Sequence, residues 1–521
     1  MKKIIAILTS AMLMVTALAG CSDKKVSNVD NSKLLKISAA SVGVSNEDKN
    51  DDLYKFMSEK FNIDIDMESI SRNALAEKTR IMITSGTMPD VMFGNWDYNG
   101  YMSFCKQGLL KALPDDYKER YPNIASELER TMILDTLEER GNGKLYSIVR
   151  ASSFGVIYGQ DNDVNVGREA FVYRKDWAKQ LGIDVKPVMS YDEFYDMAKK
   201  FKEADLGKAG KTNVMGMAAT HDYAALAFLG SNNNNYRNFY KNEDGEYICG
   251  YRDKGTLIGV NEYARAYREG VLHPNFYAHK SDDIDSYFLT GKTGIYFSGW
   301  GSSYPNFKTK FEEANPGLDA DECIGLFTLA GKDGVLRTRA NTNFYGGVYF
   351  NPDIDEEKFE RILTMIDWIS SKEGTRIINY GLEGKDHKVN DDGSIEILLE
   401  KTENGTYPAI NSLYNSWNLF ETIASVKHFD LNINIEELEE LNNMLSSKIN
   451  AEKNEIEPLD IAMQFYAGDK YKSFMAANDF DSMVTQIIMS DGDVTEKWNK
   501  KINSMKSSID DVLKEINADL K

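Results

Sequence analysis

Cysteine and histidine are both scarce in this chain of 521 residues. The four cysteines stand at Cys21, Cys105, Cys249 and Cys323. The last three are an odd number without Cys-x-x-Cys spacing, so the sequence predicts free, buried thiols and neither a disulfide framework nor a zinc site. Among the five histidines, His273 and His279 are too far apart to be ligands on adjacent turns of one helix. A metal enzyme is therefore disfavoured, and no cofactor is expected.

Basic side chains are outnumbered by acidic ones. The 61 Lys and Arg residues stand against 81 Asp and Glu residues, which gives a net charge of −20. Nucleic acid or anionic lipid would need a basic surface, so neither is expected as the main partner. Hydrophobic residues make up 42% of the chain, enough for a globular body, and its length exceeds what one core usually organises. Two or more lobes are expected.

The N-terminus carries a short apolar run, from Ile4 to Leu18, after Lys2 and Lys3. The small residues Ala19 and Gly20 follow, so Leu18-Ala19-Gly20-Cys21 forms a lipobox, the cleavage motif of a lipoprotein signal peptide. An uncleaved anchor helix is the alternative, but this run is short for a hydrocarbon core of roughly 30 Å.

Cleavage before Cys21 divides the start of the chain into two parts. Residues 1–20 are the predicted signal peptide, and residues 21–33 a lipidated, polar and flexible leash. Diacylglycerol on Cys21 inserts two acyl chains into the bilayer, and two chains are enough for stable anchoring. The expected location is the extracellular face of the cell membrane.

Strand and helix patterns alternate along the body. Leu34 to Ser41 and Ile63 to Met67 read as strands, with a helix from Asp51 to Phe61 between them. A second helix, Ala74 to Thr84, precedes the apolar strand Val91 to Phe93. This order predicts a mostly parallel sheet whose ligand site lies beyond the carboxyl ends of its strands.

Later elements repeat the α/β character. Phe171 to Tyr173 and Ile295 to Phe297 read as strands, and Ser190 with Glu193 forms a capping box at the start of a helix. Apolar residues at helical spacing from Trp498 to Leu520 predict one long terminal helix.

Several segments carry a family resemblance, and their order and spacing cover nearly the whole chain. They are the lipobox, 82–90 (MITSGTMPD), 174–177 (RKDW) with 181–182 (LG), 291–294 (GKTG), 366–374 (IDWISSKEG) and 380–384 (YGLEG). With these segments the chain resembles the family 1 extracellular solute-binding proteins of ABC importers, in the subgroup of large Gram-positive lipoproteins that capture oligosaccharides. The resemblance implies a two-lobe α/β fold of the type II periplasmic-binding-protein kind, with crossing hinge segments and a sugar in the cleft.

The resemblance also implies lobe boundaries and partners. The first lobe would hold residues 34–150 and 345–390, and the second lobe residues 151–344 and 391–521. Crossings are expected near residues 148–150, near 342–347 and after His387. The expected partners are an oligosaccharide, an ABC transporter membrane permease and the bilayer, and the protein is expected to be a monomer.

Some family members carry a calcium loop of the form Asp-x-Asn-x-Asn-Gly-Lys-x-Asp. The corresponding stretch here, residues 205–213, keeps Asp205, Gly210 and Lys211. Gly207 and Ala209 offer no side-chain oxygen, whereas calcium takes six to eight oxygen ligands. No metal is predicted in this loop.

Candidate ligand-binding residues are aromatic side chains that can stack on a sugar, and polar ones that can bind its hydroxyls. They are Trp96, Asp97, Trp300, Tyr304, Arg339, Asn341 and Trp417. Trp300, which ends a strand among Gly and Ser, is the favoured single residue. Core packing is the alternative for any one tryptophan.

Two other classes of function stay open. A secreted glycan-degrading enzyme would need two suitably spaced carboxylates, which 81 acidic residues could supply. No Gly-x-Ser-x-Gly, His-Glu-x-x-His or P-loop motif is present, so catalysis is disfavoured. A lipid-tethered sensor or a peptide-binding subunit could use the same cleft.

Overall fold

The computed structural model describes residues 32–94, 98–151, 167–210, 213–300, 303–339, 343–402, 407–424, 439–457 and 460–520. These ranges form two α/β lobes, each built on one main sheet with its own apolar core. This is the architecture that the sequence predicts. The predicted signal peptide, Cys21 and most of the leash lie outside the described residues.

The first passage of the chain alternates strands and helices. Its strands are β1 (Leu35–Val42), β2 (Ile63–Ile70), β3 (Val91–Gly94) and β4 (Ile148–Ala151). Its helices are α1 (Asp52–Phe61), α2 (Leu75–Ser85), α3 (Tyr98–Lys106), α4 (Tyr117–Arg120), α5 (Pro122–Glu129) and α6 (Leu134–Arg140). The predicted β-α-β-α-β order is confirmed. Helix α1 begins where it does because the Asp51 carboxylate accepts the backbone N–H of Tyr54 at 2.8 Å.

The second passage has the same character. Its strands are β5 (Glu169–Arg174), β6 (Val188–Met189), β7 (Phe239–Lys241), β8 (Tyr247–Cys249), β9 (Ile295–Gly299), β10 (Ile324–Leu329) and β11 (Leu336–Arg339). Its helices are α7 (Lys175–Gln180), α8 (Tyr191–Ala204), α9 (His221–Ala225), α10 (Lys254–Arg268), α11 (Ser281–Leu289), α12 (Ser303–Ala314) and α13 (Ala320–Cys323). The predicted capping box starts α8, with Ser190 and Glu193 bonded reciprocally.

The rest of the chain is mainly helical. Its strands are β12 (Phe344–Phe350), β13 (His387–Val389), β14 (Ile395–Ile397) and β15 (Asn454–Glu457). Its helices are α14 (Glu356–Ile369), α15 (Lys372–Tyr380), α16 (Ile410–Leu413), α17 (Trp417–Ile423), α18 (Glu439–Ile449), α19 (Ile461–Gln464), α20 (Asp469–Ala477), α21 (Phe480–Met489), α22 (Val494–Ser504) and α23 (Lys506–Asp519). The predicted single terminal helix is wrong. It breaks at Met505, where φ −97° and ψ 1° leave helical geometry, so its apolar stripe is shared by α22 and α23.

The first sheet has the strand order β2-β1-β3-β12-β4. Strand β1 pairs in parallel with β2 and β3, as the sequence predicts, and β12 is antiparallel to β3 and β4. The carboxyl ends of β1 to β4 therefore meet at one edge, together with the start of β12.

The second sheet has the order β6-β10-β5-β9, with β5 antiparallel to both of its neighbours. The start of β5 consequently lies at the edge where β9 and β10 end. Both faces of β5 are covered: Phe171 and Tyr173 enter one apolar core, whereas Ala170 and Val172 enter the core on the opposite face.

Residues 407–424 pack with the first lobe, whereas the predicted boundary after residue 390 assigns them to the second. Helix α17 buries Leu419, Phe420 and Ile423 in the first core, and Thr422 Oγ1 lies 2.6 Å from the hydroxyl of Ser41 in β1. Helix α17 belongs to the first lobe for a physical reason. The apolar residues of α17 pack against β1, β3 and β12 of the first sheet.

The chain changes lobe three times among the elements described. It does so between residues 151 and 167, between 339 and 343, and between 424 and 439. The third crossing thus lies further along the chain than the stretch directly after His387, where β13 and β14 pair as a hairpin. Asp386 fixes this hairpin there by accepting the Tyr414 hydroxyl at 2.5 Å.

Gly346 lies at an irregularity in β12, close to a crossing. The register with β4 shifts between Phe344 and Gly347, and Gly346 has φ +66°. A Cβ at Gly346 would stand 2.7 Å from the Phe93 ring. Both the bulge and the close approach therefore require glycine here.

Residues 461–466 contribute to both lobes. Ile461 and Phe465 pack with the first core, whereas Met463 and Tyr466 pack with the second. The Arg140 guanidinium of α6 lies 5.4 Å from the centroid of the Phe465 ring. The lobes thus touch here as well as being joined by the crossings.

The described residues include free Cys249 and Cys323, both buried, and free Cys105, which is half-buried. The predicted free thiols are confirmed, and Cys105 is less buried than expected. No helix in the described ranges is long and apolar enough to cross a membrane.

The loop at residues 205–213 uses its carboxylate internally. Asp205 Oδ1 accepts the backbone N–H of Ala209, and Oδ2 accepts that of Gly210, both at 2.9 Å. Gly207 packs against Gly291 so closely that a Cβ would stand 2.0 Å from the Gly291 oxygen. No side chain with an oxygen ligand fits at Gly207, so the loop does not suit calcium.

We therefore expect calcium to leave the thermal stability of the protein unchanged. The measurement is the Tm of purified protein with millimolar calcium and with excess chelator. A Tm that rises with calcium and falls again with chelator would contradict this prediction. Replacing Asp205 by Asn should lower the Tm equally in both conditions, because the carboxylate serves backbone N–H groups.

Candidate functional site

A cavity of about 380 Å³ lies at the edge of the second sheet where β5 starts and β9 and β10 end. Its walls come from β5, β9, β10 and β11, from α18 and from the segment after α9. The lining residues are Glu169, Phe171, Leu226, Ala227, Gly230, Ser231, Asn234, Arg237, Phe297, Thr328, Leu329, Leu336, Arg337, Thr338, Arg339 and Lys448. The carboxyl ends of strands are where open α/β sheets bind ligands.

The cavity lies close to the first lobe. Arg339 lines it, and Asn343 begins the next described segment, one residue before β12 of the first sheet. Four residues of extended chain span at most roughly 14 Å, so the strand-end edges of the two sheets are near neighbours. The first lobe carries buried polar groups at its own edge, where Arg150 of β4 forms an ion pair with Glu421 of α17.

A π-helical turn builds one wall. Helix α9 continues into Leu226–Gly230, which has π-helical hydrogen bonding, and three of its residues line the cavity. A Cβ on Gly230 would stand 2.8 Å from the Leu226 side chain, so the tight turn favours glycine. Single π turns of this kind occur often at functional sites.

Four consecutive asparagines, residues 232–235, follow that turn, and all four are buried. Asn234 Nδ2 donates to the Thr338 carbonyl at 3.0 Å and ties this segment to β11. Asn232 Oδ1 accepts the N–H of Lys332 at 3.0 Å. These side-chain amides form hydrogen bonds with backbone groups that would otherwise be buried without partners. The sequence analysis missed them, and an unusual Asn run after an apolar segment is the signal that points to them.

Four basic side chains line the cavity: Arg237, Arg337, Arg339 and Lys448. Arg337 and Arg339 are two positions apart on β11, so they occupy the same face of the strand. Arg337 bonds Asp333 at 2.6 Å and Glu455 at 3.0 Å. The positive charge of Arg337 is therefore balanced by these two carboxylates, which also hold its side chain in place.

Lys448 reaches the cavity from α18 with its side chain almost fully buried. Its ammonium donates to the carbonyl oxygens of Gly167 and Glu169, at 2.7 and 2.6 Å. Burial lowers its pKa to about 8, while the nearby Glu169 carboxylate opposes that shift. Among the described lining residues, Glu169 is the one carboxylate. A glycosidase pair of carboxylates is not present in this lining.

Arg339 is the predicted ligand residue that lies in the cavity lining. Trp96, Asp97 and Asn341 lie outside the described residues. Trp417 begins α17 in the first lobe, where its Nε1 donates to the Ile378 carbonyl at 2.7 Å and its ring packs half-buried against the core. The structure therefore does not bring Trp417 together with Arg339 in this cavity.

Trp300 and Tyr304 belong to an aromatic core cluster. The Trp300 ring is 5% exposed, and its Nε1 donates to the Ala170 carbonyl at 3.1 Å. Tyr304 is fully buried, and its hydroxyl donates to Glu440 at 2.6 Å. Neither lines the cavity, so this packing argues against their predicted contact with sugar, which stays a prediction. A strand end rich in Gly and Ser led the sequence analysis towards an exposed ring.

Replacing Trp300 by Ala should therefore lower the free energy of unfolding of the second lobe by roughly 3–5 kcal/mol. The ring contacts Tyr296, Tyr304 and Phe307, with centroids 5.0–5.6 Å away. Chemical denaturation measures the loss, and Trp300→Phe, which keeps most of the ring contacts, should lose less. Wild-type stability together with weakened sugar binding would instead make Trp300 a ligand residue.

Known proteins resemble this chain in sequence over most of its length. LipO, a lipoprotein of Bacillus subtilis, is 23% identical over 406 residues, which are 75% of this chain and 74% of that protein. YtcQ of the same organism, a polygalacturonan/rhamnogalacturonan-binding protein, is 22% identical over 519 residues, which cover 94% of this chain and 93% of YtcQ. Both alignments therefore extend over more of the chain than one lobe alone.

Solved structures share the fold. The substrate-binding protein FusA of Streptococcus pneumoniae, in complex with kestose, superposes with a TM-score of 0.68 at 16% identity, covering 93% of this chain and 98% of FusA. The two-lobe fold of solute-binding proteins is thereby confirmed. The profile of a family described as bacterial extracellular solute-binding protein matches residues 45–376. That match covers more than half of the chain, and the protein belongs to this family.

Proposed function

We propose that this protein is a lipid-anchored extracellular solute-binding protein that captures an oligosaccharide and delivers it to an ABC import permease by cleft closure. The observation that carries the proposal is the cavity at the strand-end edge of the second sheet, beside the first lobe. It combines the Phe297 ring and aliphatic side chains with arginines and hydroxyls. Apolar walls suit the C–H faces of a sugar, and the polar groups suit its hydroxyls.

The relatives support a sugar as the ligand. YtcQ is a polygalacturonan/rhamnogalacturonan-binding protein, and FusA is a fructooligosaccharide substrate-binding protein of an ABC transporter. Both are binding proteins by name, which favours capture over catalysis for this chain as well. Glu169, the one carboxylate among the described lining residues, agrees with that reading.

Closure is the proposed signal to the permease. A sugar held by the second lobe gains further contacts when the first lobe approaches, so its affinity is higher for the closed state. A ligand shifts the balance between open and closed forms only by this difference in affinity. The three crossings are the segments that would absorb the dihedral changes.

Binding should appear as a saturable rise in the Tm of purified residues 22–521 with one class of oligosaccharide. Stabilisation reaches about 2.7 kcal/mol when free ligand is a hundredfold above Kd. Leu226→Trp should abolish the rise, because Leu226 lines the cavity and the indole would fill it. Ile258→Trp, on an exposed face of α10 in the same lobe, is the matched control and should bind normally.

The same samples separate binding from catalysis. Mass spectrometry of the oligosaccharide after incubation should show unchanged chain length. Shortened products would favour a glycan-degrading enzyme, and a complete panel without any rise in Tm would contradict the proposed function.

Membrane attachment should depend on Cys21. We expect Cys21→Ala to move the protein out of the detergent-soluble membrane fraction, because the lipid has no other attachment point in the predicted lipobox. Immunoblots of membrane and medium fractions measure this. Cys105→Ala is the control and should remain with the membrane. If Cys21→Ala stays membrane-bound at the size of the uncleaved chain, the apolar run at Ile4 to Leu18 is an anchor helix.

A further inference from the structure

The cavity has a charge balance opposite to that of the whole protein. The chain carries a net charge of −20, yet four basic side chains and one carboxylate stand among the described lining residues. A surface selected only for solubility in so acidic a protein would not concentrate cations at one site.

Two of the four cations are neutralised by the protein itself. Arg337 is bonded by both Asp333 and Glu455. Arg237 lies 3.5 Å from Asp481 of α21. These two arginines can still donate to a ligand, but their charges are balanced by neighbouring carboxylates.

Lys448 has no carboxylate within ion-pairing distance among the described residues. It is 5% exposed, and its two acceptors are the Gly167 and Glu169 carbonyl oxygens. An ammonium has three N–H donors, so these carbonyls account for two of them. A buried ammonium whose hydrogen bonds go to neutral carbonyls is costly, and a further negative group beside it would offset that cost.

Arg339 is the second cation without a partner. Its half-buried guanidinium forms no hydrogen bond and no ion pair with any residue in the described part of the chain. The backbone of Gly167 connects it to Lys448: the Gly167 N–H donates to the Arg339 carbonyl at 3.1 Å, and the Gly167 carbonyl accepts from Lys448. Gly167 thus anchors both the main chain of Arg339 and the ammonium of Lys448, and both cationic side chains line the same cavity.

We propose that this part of the cavity is an anion subsite, and that the oligosaccharide is an acidic one whose sugar carboxylates bind Arg339 and Lys448. The planar fork of an arginine matches the two oxygens of a carboxylate, and charge-assisted hydrogen bonds of this kind are the strong ones. This proposal rests on the proposed function. Glu169, at the start of β5, repels a carboxylate placed against it and instead accepts sugar hydroxyls from the neighbouring position.

The protonation of Lys448 adds a second signature. A bound carboxylate raises the pKa of an ammonium beside it, so the charged form binds more tightly. The free protein has this pKa at about 8, with Glu169 on β5 and the cations Arg339 and Arg237 facing the same cavity. Between pH 7 and pH 9 the protonated fraction of Lys448 falls about tenfold, and the affinity for an acidic sugar should fall by about the same factor.

Calorimetric titration with matched probes tests the proposal. The acidic probes are oligogalacturonates, oligomannuronates and hyaluronan oligosaccharides. The neutral probes are fully methyl-esterified oligogalacturonates of the same length, fructo-oligosaccharides, xylo-oligosaccharides and chito-oligosaccharides. Methyl esterification removes the charge and keeps the sugar and its linkage. We expect binding to an acidic probe, with its neutral ester at least tenfold weaker.

Variants locate the subsite. Arg339→Gln should weaken binding of the acidic probe about 10- to 100-fold, since a hydrogen bond to a charged group contributes about 1.5–3 kcal/mol. Arg339→Lys should recover part of the loss. Lys448→Met should weaken binding and remove the pH dependence. Lys448 also donates to two backbone carbonyls, so the Tm of the Lys448→Met variant is measured first. If that variant does not fold, the comparison of Arg339→Gln with Arg339→Lys is the test. Arg252→Gln, a surface arginine bonded to Asp510, is the control and should bind as the wild type does.

The outcomes are distinct. Binding of neutral probes with equal or greater affinity would overturn the acidic ligand and leave the proposed function in place. Binding of sulfated carrageenan oligosaccharides in preference to every uronate would overturn the carboxylate assignment. Binding of the acidic probe unaffected by Arg339→Gln would overturn the subsite. Failure to bind any probe would contradict the proposed function itself.

Discussion

The antiparallel insertion of β5 between β9 and β10 is the constraint on which the second lobe depends. Both faces of this strand are buried, so alternate side chains serve two cores and the register cannot slip by one residue without exchanging them. Its direction also brings the start of β5 to the edge where its neighbours end. Gly167 and Glu169 therefore arrive beside Lys448, and the cavity floor is fixed by the same pairing that fixes the sheet.

Much of the fold could be predicted from periodicity and capping. The strands of the first sheet and the capping box at Ser190 depend on local alternation and on side chains three residues apart, and sequence shows both. Lobe membership of α17 could not be read in this way, because its apolar face would fit either core. The helix break at Met505 could not be predicted either, since the apolar stripe continues through it and no Gly or Pro marks the position.

The site was less accessible to sequence reasoning. Arg339 was found because it precedes a crossing, and the cavity does contain it. Lys448 gave no signal, because a lysine near the end of a helix reads as a solvated residue and its burial arises from contacts with β5, about 280 residues away. Trp300 is the opposite case. Its Gly and Ser neighbours suggest exposure, whereas the ring is covered by aromatic residues of the following helix, among them Tyr304 and Phe307.

Phe465 and Tyr466 are neighbours in the chain that belong to different cores. Any change in the relative orientation of the lobes must shift one of these rings against its core or rotate the backbone between them. Burial of one such side chain is worth roughly 1.5–3 kcal/mol, so this contact resists motion by an amount comparable to a strong ligand hydrogen bond. Relative movement of the two lobes is therefore resisted by a segment that lies outside the cavity lining.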